Sequence, residues 1–214
     1  PGSSLRGKMR SLWEKMNGAS QNQRIGQDVY IHICEHAADY RQCPVCQIYG
    51  VPGQLEASSP TRLIVRDVFM SEASAKALDQ LAETELPYTE VKWEAAIDRV
   101  TSAATPRQME RVPAGVIFAN FEMIFSVYEH PGDLDRFPSV LESMQLLEDD
   151  YLGGQGSRGS GKISFQDVKV WVRSRDDYRQ PRFFLEPEQG MAVADWLNQR
   201  EALVEWLYQV IPAR

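Results

Sequence analysis

Ile97-Asp-Arg-Val-Thr-Ser-Ala-Ala-Thr-Pro-Arg-Gln-Met-Glu-Arg-Val-Pro-Ala-Gly115 is the stretch on which the fold of this chain turns. It completes a run from Lys92 to Gly115 that is too polar, and too poor in apolar alternation, to lie in a core. Yet Ile97, Val100, Met109 and Val112 are spaced among Arg99, Arg107 and Arg111. An extended arm with an apolar tip and arginines along its length can wedge between bases and clamp phosphates. Taken alone, such a stretch would be an ordinary long loop, and its flanks give it meaning.

Directly after the arm, Val116 to Tyr128 alternates, with Ala119, Phe121, Met123, Phe125 and Val127 on one face of an expected strand. Before the arm, Arg62 to Phe69 is rich in Leu, Ile and Val and reads as a strand, and Ser71 to Glu83 has helical spacing ended by Pro87. Farther on, Asp133 to Glu148 reads as a helix, Ile163 to Val172 as a strand with a bulge near Gln166 and Asp167, and Met191 to Ile211 as a helix. This order gives an α+β fold with antiparallel strands.

Composition does not announce a nucleic-acid binder. The 214 residues carry a net charge of −7, with 43% hydrophobic and 25% charged residues. That profile is an ordinary globular one and excludes a global positive field. No apolar run reaches membrane-spanning length, so no membrane partner is expected. Positive charge is instead segregated. Arg6, Lys8, Arg10, Lys15 and Arg24 face only Glu14 within the first 24 residues, and Arg158, Lys162, Lys169, Arg173 and Arg175 face only Asp167 between Gly153 and Arg175. Acid collects from Asp133 to Asp150.

The first basic segment reads as a helix with Ser3 and Ser4 as N-cap candidates, Leu5, Met9, Leu12, Trp13 and Met16 on one face, and Gly18 as its stop. Arg6, Lys8 and Arg10 lie near its start, where cations oppose the macrodipole unless an anion sits there. A chain that opens directly on such a helix leads to the expectation that part of the fold lies upstream. The second segment, Gly153-Gly-Gln-Gly-Ser-Arg-Gly-Ser-Gly-Lys162, resembles a Walker A loop only superficially. Ile163 replaces the Mg²⁺-binding Ser or Thr, and the loop leads from a helix into a strand, the reverse of a P-loop. What remains is a glycine-rich backbone able to approach phosphates, with Arg158 and Lys162 supplying charge.

All three cysteines and two histidines cluster as His32-x-Cys34, His36 and Cys43-Pro-Val-Cys46. A Cys-x-x-Cys turn with one further Cys and a His completes a tetrahedral zinc site, with His32 preferred over His36. No open coordination position is implied, so the ion is expected to be structural. A redox Cys-x-x-Cys lacks its βαβ context here, and unliganded core cysteines are the other reading.

Together these segments resemble the backbone RAMP subunit of type III CRISPR–Cas effector complexes, the one that polymerises along guide RNA in the Csm-type complex. Four stretches carry the resemblance in order: Pro1-Gly-Ser-Ser-Leu-Arg-Gly-Lys-Met-Arg10, the cluster from His32 to Gly50, the Ile97–Gly115 arm, and the glycine-rich loop. The resemblance implies a single RAMP-type domain over residues 1–214 with a ferredoxin-like (RRM-like) core lacking its first strand, a zinc-binding insertion at 28–50 and a thumb-like β-hairpin arm at 92–115. It implies contacts to guide crRNA from Ser3, Ser4, Arg6, Lys8 and Arg10, from Arg99, Thr101, Arg107, Met109 and Arg111, and from Gly154, Gly156, Arg158, Gly159 and Lys162. Base pairing, not protein, would read sequence.

The implied partners are crRNA, target RNA, neighbouring copies of the same or related RAMP subunits and other effector-complex subunits, in the cytoplasm. In this family an aspartate in a loop before the Pro-Gly-Ser-Ser motif, with a divalent metal such as Mg²⁺, promotes attack by the ribose 2′-hydroxyl on the target strand. That position precedes Pro1, so no catalytic residue is assigned in this chain. The alternative is a non-catalytic structural subunit of the same complex. A guide-processing nuclease would need a general base, and His130 before Pro131-Gly132 reads as a turn residue.

Overall fold

The structure is a computed structural model that describes residues 1–55, 59–80 and 88–213. In chain order the helices are α1 (Gly2–Met16), α2 (Ala37–Gln42), α3 (Pro44–Tyr49), α4 (Glu72–Gln80), α5 (Gly132–Arg136), α6 (Pro138–Asp149), α7 (Val193–Asn198) and α8 (Arg200–Val210). The strands are β1 (Gln23–Gly26), β2 (Val29–Ile31), β3 (Leu63–Val65), β4 (Phe69–Met70), β5 (Glu90–Ile97), β6 (Ala104–Arg111), β7 (Phe118–Ala119), β8 (Met123–Phe125), β9 (Trp171–Val172) and β10 (Arg182–Phe183). Every pairing is antiparallel and two-stranded: β1–β2, β3–β8, β4–β7, β5–β6 and β9–β10. The mixed α and β character expected from the sequence is present.

The chain divides into two compact units, residues 1–65 with 123–214 and residues 66–122. The first unit owns the core. Leu5, Met9 and Trp13 form the buried stripe of α1, which packs on α6, α3 and β3. Opposite them lie Val45, Ile48 and Tyr49 of α3, Leu63 of β3, and Val140, Leu141, Met144 and Leu147 of α6. Trp196, Leu203 and Leu207 extend the apolar interior through α7 and α8. A buried ion pair crosses this unit. Arg62 donates from Nε to Asp133 Oδ1 at 3.0 Å, and Asp133 Oδ2 accepts the backbone N–H groups of Tyr128 and Glu129, each at 2.9 Å. The Arg62 guanidinium also reaches Tyr40 Oη at 3.1 Å, Pro60 O at 3.2 Å and Ser59 Oγ.

The second unit contains β4, α4, the β5–β6 hairpin and β7, and among its described residues none is buried. Phe69 and Phe118, on facing strands, are both exposed.

Several elements are shorter than the sequence predicts, each for a local reason. Helix α1 starts at Gly2 with Pro1 in the cap position, so neither Ser3 nor Ser4 is the N-cap, and no side chain caps this end. Its stop is as expected: α1 ends at Met16, and Gly18, at φ +61°, donates to Lys15 O. The strand expected over 62–69 is split into β3 and β4. The one expected over 116–128 is split into β7 and β8 by Asn120, at φ +57° in the left-handed region that Asn tolerates. The helix expected from Asp133 divides at Pro138, which lacks an N–H and opens α6 at its first turn. The strand expected over 163–172 survives only as β9, because Asp167 turns left-handed (φ +53°) and the chain then makes a lone bridge from Val168 to Met191. The C-terminal helix breaks at Gln199. The expected helix end at Pro87 lies outside the described residues.

Candidate functional site

The arm is a regular hairpin. Strands β5 and β6 pair without a bulge from Glu90↔Arg111 to Ile97↔Ala104. Period-2 alternation sorts its residues onto two faces. One face carries Glu90, Lys92 and Glu94 opposite Arg111, Met109 and Arg107; the other carries Val91, Trp93 and Ile97. Arg107 therefore meets Glu94 at 2.9 Å across the ladder, and Arg111 bonds Glu90. Met109, between them, is half-buried.

The tip is built by Asp98, whose Oδ1 accepts the N–H groups of Val100 and Thr101, each at 2.8 Å, while Ser102 adopts φ +58°. Those N–H donors, Thr101 first, hold the Asp98 carboxyl below the usual carboxylate range. The turn holds Arg99 and Thr101 in solvent and leaves Val100 93% exposed.

The helix-start cations bond within the chain, while the serines face solvent. Ser3 and Ser4 are exposed. Arg6 donates to Leu63 O at 3.3 Å and to Tyr49 O. Lys8 pairs with Asp150 at 2.8 Å and lies 3.9 Å from the Tyr151 ring centroid. Arg10 reaches Glu14, Gly50 O and His32 O. Carbonyl and carboxylate oxygens from four distant segments, at His32, Tyr49–Gly50, Leu63 and Asp150, accept from these cations.

The glycine-rich loop holds a single 3₁₀ turn, Gly156–Arg158, with Gln155 and Gly159 left-handed at its ends. Two glycines are required by close approach. A Cβ on Gly161 would lie 2.3 Å from Leu152 O, and one on Gly156 would lie 2.0 Å from the Tyr151 ring. Gly154, Arg158, Gly159 and Lys162 are exposed, and Lys162 also bonds Glu148 O at the C-terminal end of α6. That placement suits a cation.

The cysteine–histidine cluster is assembled as the spacing predicts. One donor atom from each of His32, Cys34, Cys43 and Cys46 lies within 4.8 Å of the others. His32 Nε2 is 3.4 Å from both Cys34 Sγ and Cys43 Sγ. Its Nδ1 lies 2.8 Å from Ser20 O, so the Nδ1–H donates to that carbonyl and the Nε2 lone pair faces the sulfurs. His36, at the N-cap of α2, is exposed and outside the group. Cys43 caps α3, its Sγ accepting Cys46 N–H at 3.4 Å. The Cys46 thiol and that N–H hold the Cys43 thiol well below the ordinary range. Burial and the Cys43 charge push Cys34 up, and Cys46 is raised by its hydrogen bond to Cys43 and by burial. A cation at the centre would favour the thiolate form of all three sulfurs. Three sulfurs and one imidazole nitrogen at these separations fit a tetrahedral metal ion.

Sequence reasoning did not find what surrounds these groups. Ser20 and Asn22 carry no motif, and the Arg62–Asp133 pair spans 71 residues. The Arg10–Glu14 pair, at i and i+4, was the one signal available.

Residues 1–164 match the RAMP superfamily. The chain is 38% identical over 183 residues to the CRISPR system Cms endoribonuclease Csm3 of Methanocaldococcus jannaschii, covering 83% of this chain and 66% of the relative. It is 38% identical over 192 residues to the protein of the same name from Methanothermobacter thermautotrophicus, covering 84% of this chain and 71% of that one. The chain thus spans about two thirds of the length of these relatives. Its fold matches the crystal structure of Methanopyrus kandleri Csm3 with a TM-score of 0.62 at 16% identity, over 99% of this chain and 85% of that one. The chain belongs to the RAMP superfamily, in the group formed by its Csm3 members.

Proposed function

We propose that this chain is the crRNA-binding backbone subunit of a type III CRISPR–Cas interference complex and takes part in RNA-guided cleavage of target RNA. The observation that carries the reading is the kinship, across more than four fifths of the chain, with Csm3 proteins named as endoribonucleases. The same kinship, with the antiparallel pairings of the fold, supports a ferredoxin-like core.

In this reading the β5–β6 hairpin is the thumb. Its Arg99–Thr101 tip wedges between bases, and Arg107 and Arg111 exchange carboxylates for phosphates. Ser3 and Ser4 at the exposed start of α1, and Gly154, Arg158 and Gly159 in the glycine-rich loop, follow the guide backbone. Arg6, Lys8, Arg10 and Lys162 fix the elements that carry those groups. Neighbouring copies are the natural cover for the exposed Phe69, Ile117 and Phe118 of the second unit.

His32, Cys34, Cys43 and Cys46 would hold a structural Zn²⁺, which supplies a cross-link where the lobe has few apolar side chains. No described residue is assigned as the cutting aspartate or as a ligand of a divalent ion such as Mg²⁺. None of the described helices is long and apolar enough to cross a membrane. In this reading the complex is cytoplasmic.

Sequencing the RNA that co-purifies with the assembled complex tests the proposal. A shared repeat-derived 5′ tag on guides of differing sequence is expected, and RNA without such a tag would overturn it.

A further inference from the structure

The segment from His32 to Cys34 carries two of the four candidate metal ligands, yet it lies in no helix or strand. Strand β2 ends at Ile31 and α2 begins only at Ala37. A buried stretch outside a ladder must find other partners for its main-chain groups, since an unmade hydrogen bond there costs about 1–3 kcal/mol. Ile33 and Cys34 are both buried.

Three side chains supply those partners. His32 N–H donates to Glu14 Oε1 at 3.2 Å, and His32 O accepts from Arg10 Nη2 at 2.6 Å. The Asn22 carboxamide spans the next residue, accepting Ile33 N–H and donating to Ile33 O, both at 2.9 Å. Arg10 and Glu14 are themselves joined at 2.8 Å, with side chains 12% and 2% exposed. Arg10 Nη1 reaches Gly50 O at 3.1 Å, where the chain leaves α3, the helix that carries Cys46. One guanidinium thus spans both ends of the ligand-bearing lobe, while Ser20 O orients the imidazole.

We propose that Arg10, Glu14 and Asn22 are positioning residues of the metal centre, a side-chain frame that replaces a β-ladder and holds His32 and Cys34 at tetrahedral separation. The inference rests on the metal reading above and adds that affinity for a thiolate-preferring divalent ion is set partly from α1. Outer partners of this kind change metal affinity about 10–100-fold when removed. The coupling runs both ways, so the bound ion also steadies the middle of α1.

The test measures Zn²⁺ affinity of the full chain by competition with a chromogenic chelator. Arg10→Lys keeps the charge but cannot fork to three acceptors, Glu14→Gln keeps the shape, and Asn22→Leu removes the Ile33 brace. Arg6→Met is the control, because Arg6 anchors α1 to Tyr49 O and Leu63 O and touches no part of the ligand segment. Each of the first three variants is expected to weaken Zn²⁺ roughly 10–100-fold, with Arg6→Met within about three-fold of the parent. Amide exchange over residues 9–14 of the parent, expected to slow on adding Zn²⁺, gives a readout that does not depend on a variant folding. Parent-like affinity in the three variants, an equal loss in Arg6→Met, or unchanged exchange would each overturn the frame. Failure of the parent chain to bind Zn²⁺ would overturn the metal reading itself.

Discussion

Replacing Arg107 and Arg111 with alanine tests the thumb directly, because the hairpin geometry fixes what each arginine can contribute. Four residues apart on one strand, they stand about 13 Å from each other at ~3.3 Å per residue. That exceeds the ~8 Å Debye length at physiological salt, so the two act independently. Each is paired with a glutamate across the ladder, but the side chains are 44% and 24% exposed for Arg107–Glu94 and 35% and 37% for Arg111–Glu90. Pairs this open to solvent are worth at most about 1 kcal/mol and yield to a phosphate. A phosphate neutralised on single-stranded nucleic acid contributes about 0.7 to the slope of log affinity against log salt.

Losing both arginines should therefore flatten that slope by about 1.4 and weaken assembly roughly 25-fold at ~0.1 M salt, falling to roughly 5-fold at ~0.3 M. Glu90→Gln and Glu94→Gln release the guanidiniums and should tighten assembly by up to about five-fold each. The assay is a filter-binding titration of subunit on guide RNA across a KCl series, repeated with two unrelated guide sequences. An unchanged slope in the double alanine variant, or a loss confined to one guide sequence, would refute the reasoning.

The remaining predictions concern stability and local order. Arg62→Met takes one of two guanidiniums from the fully buried Asp133 carboxylate, leaving Arg136 at 3.0 Å and two backbone N–H donors, and should cost about 1–3 kcal/mol in urea denaturation. Removing Arg136 as well leaves that carboxylate without a cation and should raise the cost to about 3–5 kcal/mol. Chelating the metal should make residues 32–50 the first proteolytic cleavage site while α6 to α8 stay protected, as read by mass spectrometry. Because the folded tip depresses the Asp98 carboxyl, the tip turn is held above the ordinary carboxylate pKa and lost as pH falls through the lowered one. Acidification or Asp98→Ala should speed amide exchange at Val100 and Thr101 without moving the global transition. Gly161→Ala puts a Cβ onto Leu152 O at a φ of +85° and should lower thermal stability, while Gly153→Ala, with open space around it, suffers only the backbone cost.

Local patterns were legible because they act over a few residues. The apolar stripe of Leu5, Met9 and Trp13 gave α1, the Cys43-x-x-Cys46 turn gave the cluster, and the polar run after Lys92 gave the hairpin. The strand break at Asn120 was not legible, since a left-handed residue leaves hydrophobic alternation unchanged, whereas the irregularity at Asp167 showed as the expected bulge. The use of Arg6 and Arg10 was hidden for a different reason. Their acceptors are backbone carbonyls 57 and 40 residues away, at Leu63 and Gly50, and a carbonyl has no sequence signature. Charge near a helix start reads as facing phosphate, and nothing in the sequence announces the contacts within the chain that Arg6 and Arg10 also make.

None of the described residues from 66 to 122 is buried, and if neighbouring copies cover them as proposed, this bears on how the cell must handle the chain. A lobe in which Phe69, Trp93, Ile97, Ile117 and Phe118 face water derives little of its stability from itself. Copies made in excess of the surfaces that cover them present sticky, protease-accessible ends, so dosage relative to binding partners becomes a condition for survival. Turnover of orphan copies would then keep the pool matched to the complexes that can be built.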